Sequence, residues 1–105
     1  MSDNSISFAV VYQFKVKNGM EETFIQAWKS LTELIAQYEG GLGSRLHKNQ
    51  RGEFIAYAQW PNRAAWENSG VNLPHQSQSI RQTMRDCCYE VNTQHELDVV
   101  TNLLI

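Results

Sequence analysis

The chain predicts an α+β fold of ferredoxin-like type, a four-stranded antiparallel sheet with its helices on one face. Three observations predict it. Residues 6–17 alternate as a half-buried strand does, and residues 20–38 carry apolar side chains at steps of three and four. Residues 42–60 read as two strands joined by a hairpin loop with glycine near its end. The full order is strand, helix, strand, strand, helix pair, strand, the β-α-β-β-α-β plan. A length of 105 residues suits a single domain over 1–105, with its core in about 6–104.

In the first strand, Ile6 to Lys17, the side chains of Phe8, Val10, Tyr12, Phe14 and Val16 share one face. Ala9 and Val11 occupy the other, ahead of polar Gln13 and Lys15. Asn18-Gly19 ends the run; Asn18 can cap the next helix, and Glu21 can complete a capping-box-like start. That helix is predicted from Met20 to Tyr38, with Phe24, Ala27, Trp28, Leu31, Leu34, Ile35 and Tyr38 as its apolar stripe. Gly40-Gly41 stops it, because glycine accepts the left-handed conformation of a helix C-cap.

Leu42 to Lys48 and Glu53 to Trp60 are the next two strands, joined by Asn49–Gly52 and closed by Pro61. Asn62 is a good N-cap for a short helix carrying Ala64, Ala65 and Trp66. Ser69–Asn72 breaks that helix, and Pro74 opens a longer one reaching about Cys88. Its apolar positions, Ile80, Met84 and Cys87, make only a thin stripe, which predicts incomplete packing beneath it. Glu96 to Leu104 is the predicted last strand, with Leu97, Val99, Thr101 and Leu103 on one face.

The second face of the sheet is unusual for a solitary domain. It carries Ala9, Val11, Ile55, Tyr57 and Val100 among Gln13, Arg45, His47, Gln59 and Asp98. A sheet with helices on one side leaves its other face wet, and this mixture is too apolar for that. The simplest cover is a second copy, sheet against sheet, in a symmetric homodimer; a monomer with a partly apolar sheet is the alternative.

Composition removes several classes of function. The chain is 42% hydrophobic and 19% charged, ordinary values for a globular protein. Net charge is -2 with no basic run, so the electrostatic footprint of a nucleic-acid binder is absent. No apolar run approaches the roughly 20 residues that span a bilayer. Met1 to Ser7 is polar, without the basic and apolar regions of a signal peptide. Cys87 and Cys88 are adjacent, which suits neither an ordinary disulfide nor a zinc motif and fits a reducing cytoplasm. His47, His75 and His95 are scattered, so no metal site is expected.

Several segments carry a resemblance. They are Val10–Lys17 leading into Gly19, Tyr38-Glu39-Gly40-Gly41-Leu42-Gly43-Ser44, and Ala56-Tyr57-Ala58-Gln59-Trp60-Pro61. Met84-Arg85-Asp86 and Asn102-Leu103-Leu104 fit the same pattern. Together, over about residues 8–104, the chain resembles the antibiotic biosynthesis monooxygenase family of the dimeric α/β-barrel superfamily. The resemblance implies a homodimer in which two sheets close an intersubunit barrel. It also implies a pocket in each subunit between the sheet and the second helical region. Some relatives oxidise polycyclic phenols to quinones without metal or flavin; others degrade haem, process small signalling molecules, or have no known activity. Haem degraders carry an asparagine on the first strand, and aligning their glycine on Gly19 puts Tyr12 there instead. Trp66 and His75 match their tryptophan and histidine in type but fall several residues early, counted from Trp60.

The resemblance therefore points to a cofactor-free monooxygenase acting on a small aromatic, phenol- or quinone-type substrate. Such an enzyme needs a flat apolar slot, a group that favours the phenolate, and exclusion of water. Tyr12, Trp60 and Trp66 can form the slot, or can be ordinary core aromatics. His75, after Pro74 at a helix start that disfavours the imidazolium, is the best base candidate, with a surface histidine as the plain alternative. Trp66 and His75 are thus the candidate catalytic pair. Tyr12, Trp60, Arg81 and Arg85 are the candidate substrate-binding residues. Arg81 and Arg85, one helical turn apart, can converge on an anion or form a solvated face. A non-catalytic aromatic-binding or stress-response dimer stands beside the enzyme as the second expectation. A dimer whose pocket is filled by its own side chains is the third, and a near-zero pocket volume would identify it.

Overall fold

The structure, a computed structural model, describes residues 6–104. The N-terminal residues of the polar stretch 1–7 lie outside that range. In chain order the elements are β1 (Phe8–Val16), α1 (Glu21–Glu39), β2 (Ser44–Lys48), β3 (Phe54–Trp60), α2 (Arg63–Glu67), α3 (Ser77–Asp86) and β4 (Cys88–Asp98). The four strands form one antiparallel sheet in the order β2-β3-β1-β4. This is the ferredoxin-like arrangement expected, with the first and third strands at the centre.

The central strands bury their helix-side residues because α1 lies over them. Phe8, Val10 and Phe14 of β1 and Phe54, Ala56 and Trp60 of β3 are buried, and Phe24, Ala27 and Leu31 of α1 meet them from above. Two clusters result. One holds Phe14, Phe24, Phe54, Ala56 and Cys87; the other holds Phe8, Val10 and Trp60. Tyr12 packs against both. The predicted stripe of α1 is correct except at its last member, since Tyr38 is exposed.

The helix ends follow local chemistry. Gly40 closes α1 at φ 76°, its amide donating to the Ile35 carbonyl. Asn62 caps α2, its side chain accepting the Ala65 amide at 2.8 Å, an arrangement worth about 1 kcal/mol. Asn18 does not cap α1. The N-cap position is Met20, and Glu21 accepts the amide of Gly19 at 3.0 Å. Nor does α3 begin directly at Pro74. The Pro74 and His75 carbonyls accept the Ser77 and Gln78 amides as a turn, and the helix starts at Ser77.

The last strand corrects the sequence expectation most. It spans Cys88–Asp98, starting eight residues before the predicted Glu96, and residues 99–104 lie beyond it. Its pairing with β1 carries two register shifts, between Val11 and Tyr12 and between Lys15 and Val16. Leu97 pairs with Ala9 and Asp98 with Phe8, so Leu97 faces away from the helices and Asp98 toward them. The open face therefore takes Asn92, His95 and Leu97 from β4, in place of the predicted Asp98 and Val100. One residue, the fully buried Cys87, separates α3 from β4; its amide donates to Thr83 and its carbonyl accepts from Lys17. No helix of the described residues is long and apolar enough to cross a membrane.

Candidate functional site

A cavity of about 290 Å³ opens between the sheet, α1 and α3. It is about twice the size of the cavity of about 150 Å³ known to hold one benzene ring. The thin stripe of α3 is its cause: Met84 fills part of the gap, and the neighbouring positions that reach it are Arg81 and Arg85 rather than apolar residues. The dimer with a self-filled pocket is thus not the state of this fold.

β1 and β3 supply the floor, through Tyr12, Phe14, Ala58 and Trp60. α1 supplies the opposite wall through Trp28, Leu31 and Ile35, and Val91 of β4 adds an apolar edge. Four of the six residues proposed from sequence therefore line one space: Tyr12, Trp60, Arg81 and Arg85. Trp66 stands behind it. Its ring packs against Phe8 at 5.6 Å between centroids, and its Nε1–H donates to the Tyr12 hydroxyl at 2.7 Å. His75 is not brought to the cavity; it lies exposed in the turn before α3.

The charged groups of the cavity, Arg81 and Arg85, are donors. Burial pushes the Tyr12 phenol above its ordinary pKa, outweighing the Trp66 hydrogen bond that lowers it. Tyr12 is thus a phenol at neutral pH, and since its oxygen already accepts from Trp66, its own proton is free to be donated. Trp60 is 3% exposed, and its Nε1–H has no hydrogen-bond partner among the described residues. A buried donor left unpaired costs about 1–3 kcal/mol. Neither Arg81 nor Arg85 has a carboxylate within 4.0 Å among the described residues. No carboxylate and no imidazole lines the cavity among those residues.

The loop between α2 and α3 closes one side. The Glu39 Oε2 at the end of α1 accepts the Gly70 amide at 2.6 Å and the Asn72 amide at 3.1 Å. Gly70 sits at φ +101°, and a Cβ there would lie 3.1 Å from Nη2 of Arg81. The guanidinium thus rests against bare backbone.

The family model of antibiotic biosynthesis monooxygenases matches residues 7–79, from the start of β1 into the first turn of α3. The chain belongs to that family. Solved structures agree in fold with this antibiotic biosynthesis monooxygenase family member. SnoaB, a cofactor-independent oxygenase from Streptomyces nogalater, is similar at TM-score 0.72 and 14% identity, over 94% of this chain and 98% of that one. A Caulobacter crescentus protein assigned to the antibiotic biosynthesis monooxygenases has TM-score 0.74 and 17% identity, over 91% and 92%. Rv0793 from Mycobacterium tuberculosis has TM-score 0.72 and 12% identity, over 92% and 98%. At these identities the likeness is one of fold. No curated protein matches the sequence. Arg81 and Arg85 lie beyond the matched span, so the cationic end of the cavity is not part of the family match.

Sequence reasoning placed Trp28, Leu31 and Ile35 in the helical stripe but did not separate cavity wall from core. Helical period gives the face a side chain occupies, not the depth of the space in front of it. The one signal available was the thin stripe of α3.

Proposed function

We propose that the protein is a cofactor-independent monooxygenase for a small aromatic molecule of the phenol or quinone type. One observation carries the reading: a cavity with aromatic and aliphatic walls whose charged groups are the guanidinium donors of Arg81 and Arg85, with the Tyr12 phenol on its floor. A phenolate oxygen bound beside them is favoured over the neutral phenol, because a guanidinium stabilises the anion against the apolar walls. The phenolate, not the protein, then gives electrons to dioxygen at the ring carbon opposite its oxygen. One oxygen atom becomes the new carbonyl there, and the other leaves as water with that carbon's hydrogen and the proton released from the phenol. Trp66 holds the Tyr12 hydroxyl in place, and this is its role in the reading. His75 has no part in it. Family membership and the likeness to SnoaB agree with this chemistry. The missing imidazole argues against haem as the molecule bound, since no described residue of the cavity offers an axial histidine.

The working unit is a homodimer, two open sheet faces meeting over Val11, Ile55, Tyr57 and Leu97, in a reducing cytoplasm. Oxygen consumption with anthrone and hydroquinone substrates, without added metal, flavin or haem, tests the activity. Enzyme-dependent uptake that falls in Arg81→Gln is the expected result. No uptake across the panel, with aromatic binding intact, would make this a binding protein.

A further inference from the structure

We infer that Glu39, outside the cavity lining, is a positioning residue for Arg81: its carboxylate pins the 68–76 connection by the amides of Gly70 and Asn72, and the pinned backbone fixes where the Arg81 guanidinium rests. What that guanidinium does at the cavity rests on the function proposed above; its placing does not.

Glu39 sits where a carboxylate is costly. It is the last residue of α1, at the helix end whose free carbonyls repel negative charge, and no basic residue occupies that last turn. Its Oε1 is also buried without a hydrogen-bond partner among the described residues, which is a second cost. The other oxygen offsets both. Oε2 accepts the Gly70 amide at 2.6 Å and the Asn72 amide at 3.1 Å, 31 and 33 residues further along the chain. Hydrogen bonds to an ionised acceptor are stronger than those between neutral groups.

These two bonds matter because little else ties the segment down. No residue from 67 to 76 is buried, and Val71 is 77% exposed. The other backbone bonds of the segment are short-range turns, such as Val71 to Asn68 and Ser77 to Pro74. Yet this segment carries the surface against which Arg81 lies. A Cβ on Gly70 would meet Nη2, Nη1 and Cζ of Arg81 at 3.1, 3.4 and 3.7 Å, so the charged head rests there rather than the aliphatic stem. Arg81 has no carboxylate within 4.0 Å among the described residues, so no ion pair sets its direction. The guanidinium takes its direction from the Gly70 backbone, and Gly70 takes its place from Glu39.

Nuclear magnetic resonance reads the two links separately. Amide exchange at Gly70 and Asn72 reports the pin. The heteronuclear NOE of the Arg81 Nε–H group reports the order of the guanidinium, with exposed Arg85 as the internal reference. The substitutions divide reach from charge. Glu39→Ala removes both, Glu39→Asp keeps the charge but is one methylene too short, and Glu39→Gln keeps the reach and an acceptor oxygen without the charge. Gly70 exchange should quicken roughly 10- to 100-fold in Glu39→Ala and Glu39→Asp. The Arg81 NOE should fall in both to the value of Arg85, and Glu39→Gln should keep most of the protection and the order. Circular dichroism checks folding, and the Asp and Gln variants carry the test if Glu39→Ala does not fold. An Arg81 signal that stays ordered in Glu39→Asp overturns the inference, as does order that is lost in Glu39→Gln. None of these readouts needs turnover. In oxygen uptake, Glu39→Ala should cause no further loss in an Arg81→Gln background, because Glu39 acts through Arg81; fully additive losses would overturn that route. Absence of uptake in the unmodified protein removes the oxygenase reading and leaves the resonance data to decide the role of Glu39.

Discussion

The hydrogen bond from Trp66 Nε1 to the Tyr12 hydroxyl, 2.7 Å long, can be weighed by a double-mutant cycle. Tyr12→Phe removes only the hydroxyl and keeps the ring between the two core clusters. It strands the Trp66 N–H in a half-buried place. A neutral hydrogen bond is worth about 0.5–1.5 kcal/mol net, and stranding a buried partner costs about 1–3 kcal/mol. Water can partly reach Trp66, so Tyr12→Phe should cost about 1–2 kcal/mol. Trp66→Phe removes the donor and also some contact with Phe8, so it should cost more. The double variant should be more stable than additivity predicts, by about 1 kcal/mol. Urea unfolding followed by circular dichroism at one protein concentration measures all four proteins; the tryptophan change rules out fluorescence as the probe, and fixed concentration removes any effect of assembly. With a slope of roughly 1–1.5 kcal/mol per M, each kcal/mol moves the midpoint by about 0.7–1 M. A coupling below about 0.3 kcal/mol would refute the claim that this bond holds the phenol in place. The phenol's titration gives a second reading. Its folded pKa is raised by burial, so the native state holds the proton longer than the unfolded chain does. The associated stability is present below pH 10 and is lost as pH rises from there through the folded value. Trp66→Phe removes a lowering interaction and should push the tyrosinate absorbance change still higher.

Two more outcomes follow from the same geometry. Gly70→Ala places a Cβ at φ +101°, 3.1 Å from Arg81, and should cost about 1–2 kcal/mol, measured by urea unfolding. The Cys88 thiol, pushed up to about 11 chiefly by burial, should be alkylated by iodoacetamide at pH 8 on the order of 100-fold more slowly than a thiol at the reference value of 9.0, as counted by mass spectrometry.

Where burial decides the structure, the sequence was easy to read. β1, α1 and β3 each bury one face, and burial is what writes period two or period 3.6 into a chain. β4 shows the opposite case. It is an edge strand with most of its side chains exposed, and two register shifts break its alternation, so residues 88–95 carry no period at all. The run Leu97, Val99, Thr101 and Leu103 imitated a strand just beyond the real one. The misplaced His75 has a local cause. Pro74 marks a turn that precedes α3 rather than its first helical residue, and that turn leaves His75 in solvent. Tyr12, Trp60, Arg81 and Arg85 were legible because strand and helix phase fix their direction. The pairing of Trp66 with Tyr12 was not, because it depends on how α2 folds back over β1.

The single buried residue between α3 and β4 bears on how such a site can diversify. Most domains change their ligand preference by lengthening a loop beside the pocket, but at the C-terminal end of α3 no loop exists to lengthen. An inserted residue at Cys87 would turn α3 by about 100° relative to the sheet and swing both arginines away from the cavity together. A lineage descending from this protein therefore has point substitution at positions 81 and 85 as its route to a new ligand charge at that end, whereas the 68–76 connection, which closes another side of the cavity, has room to grow.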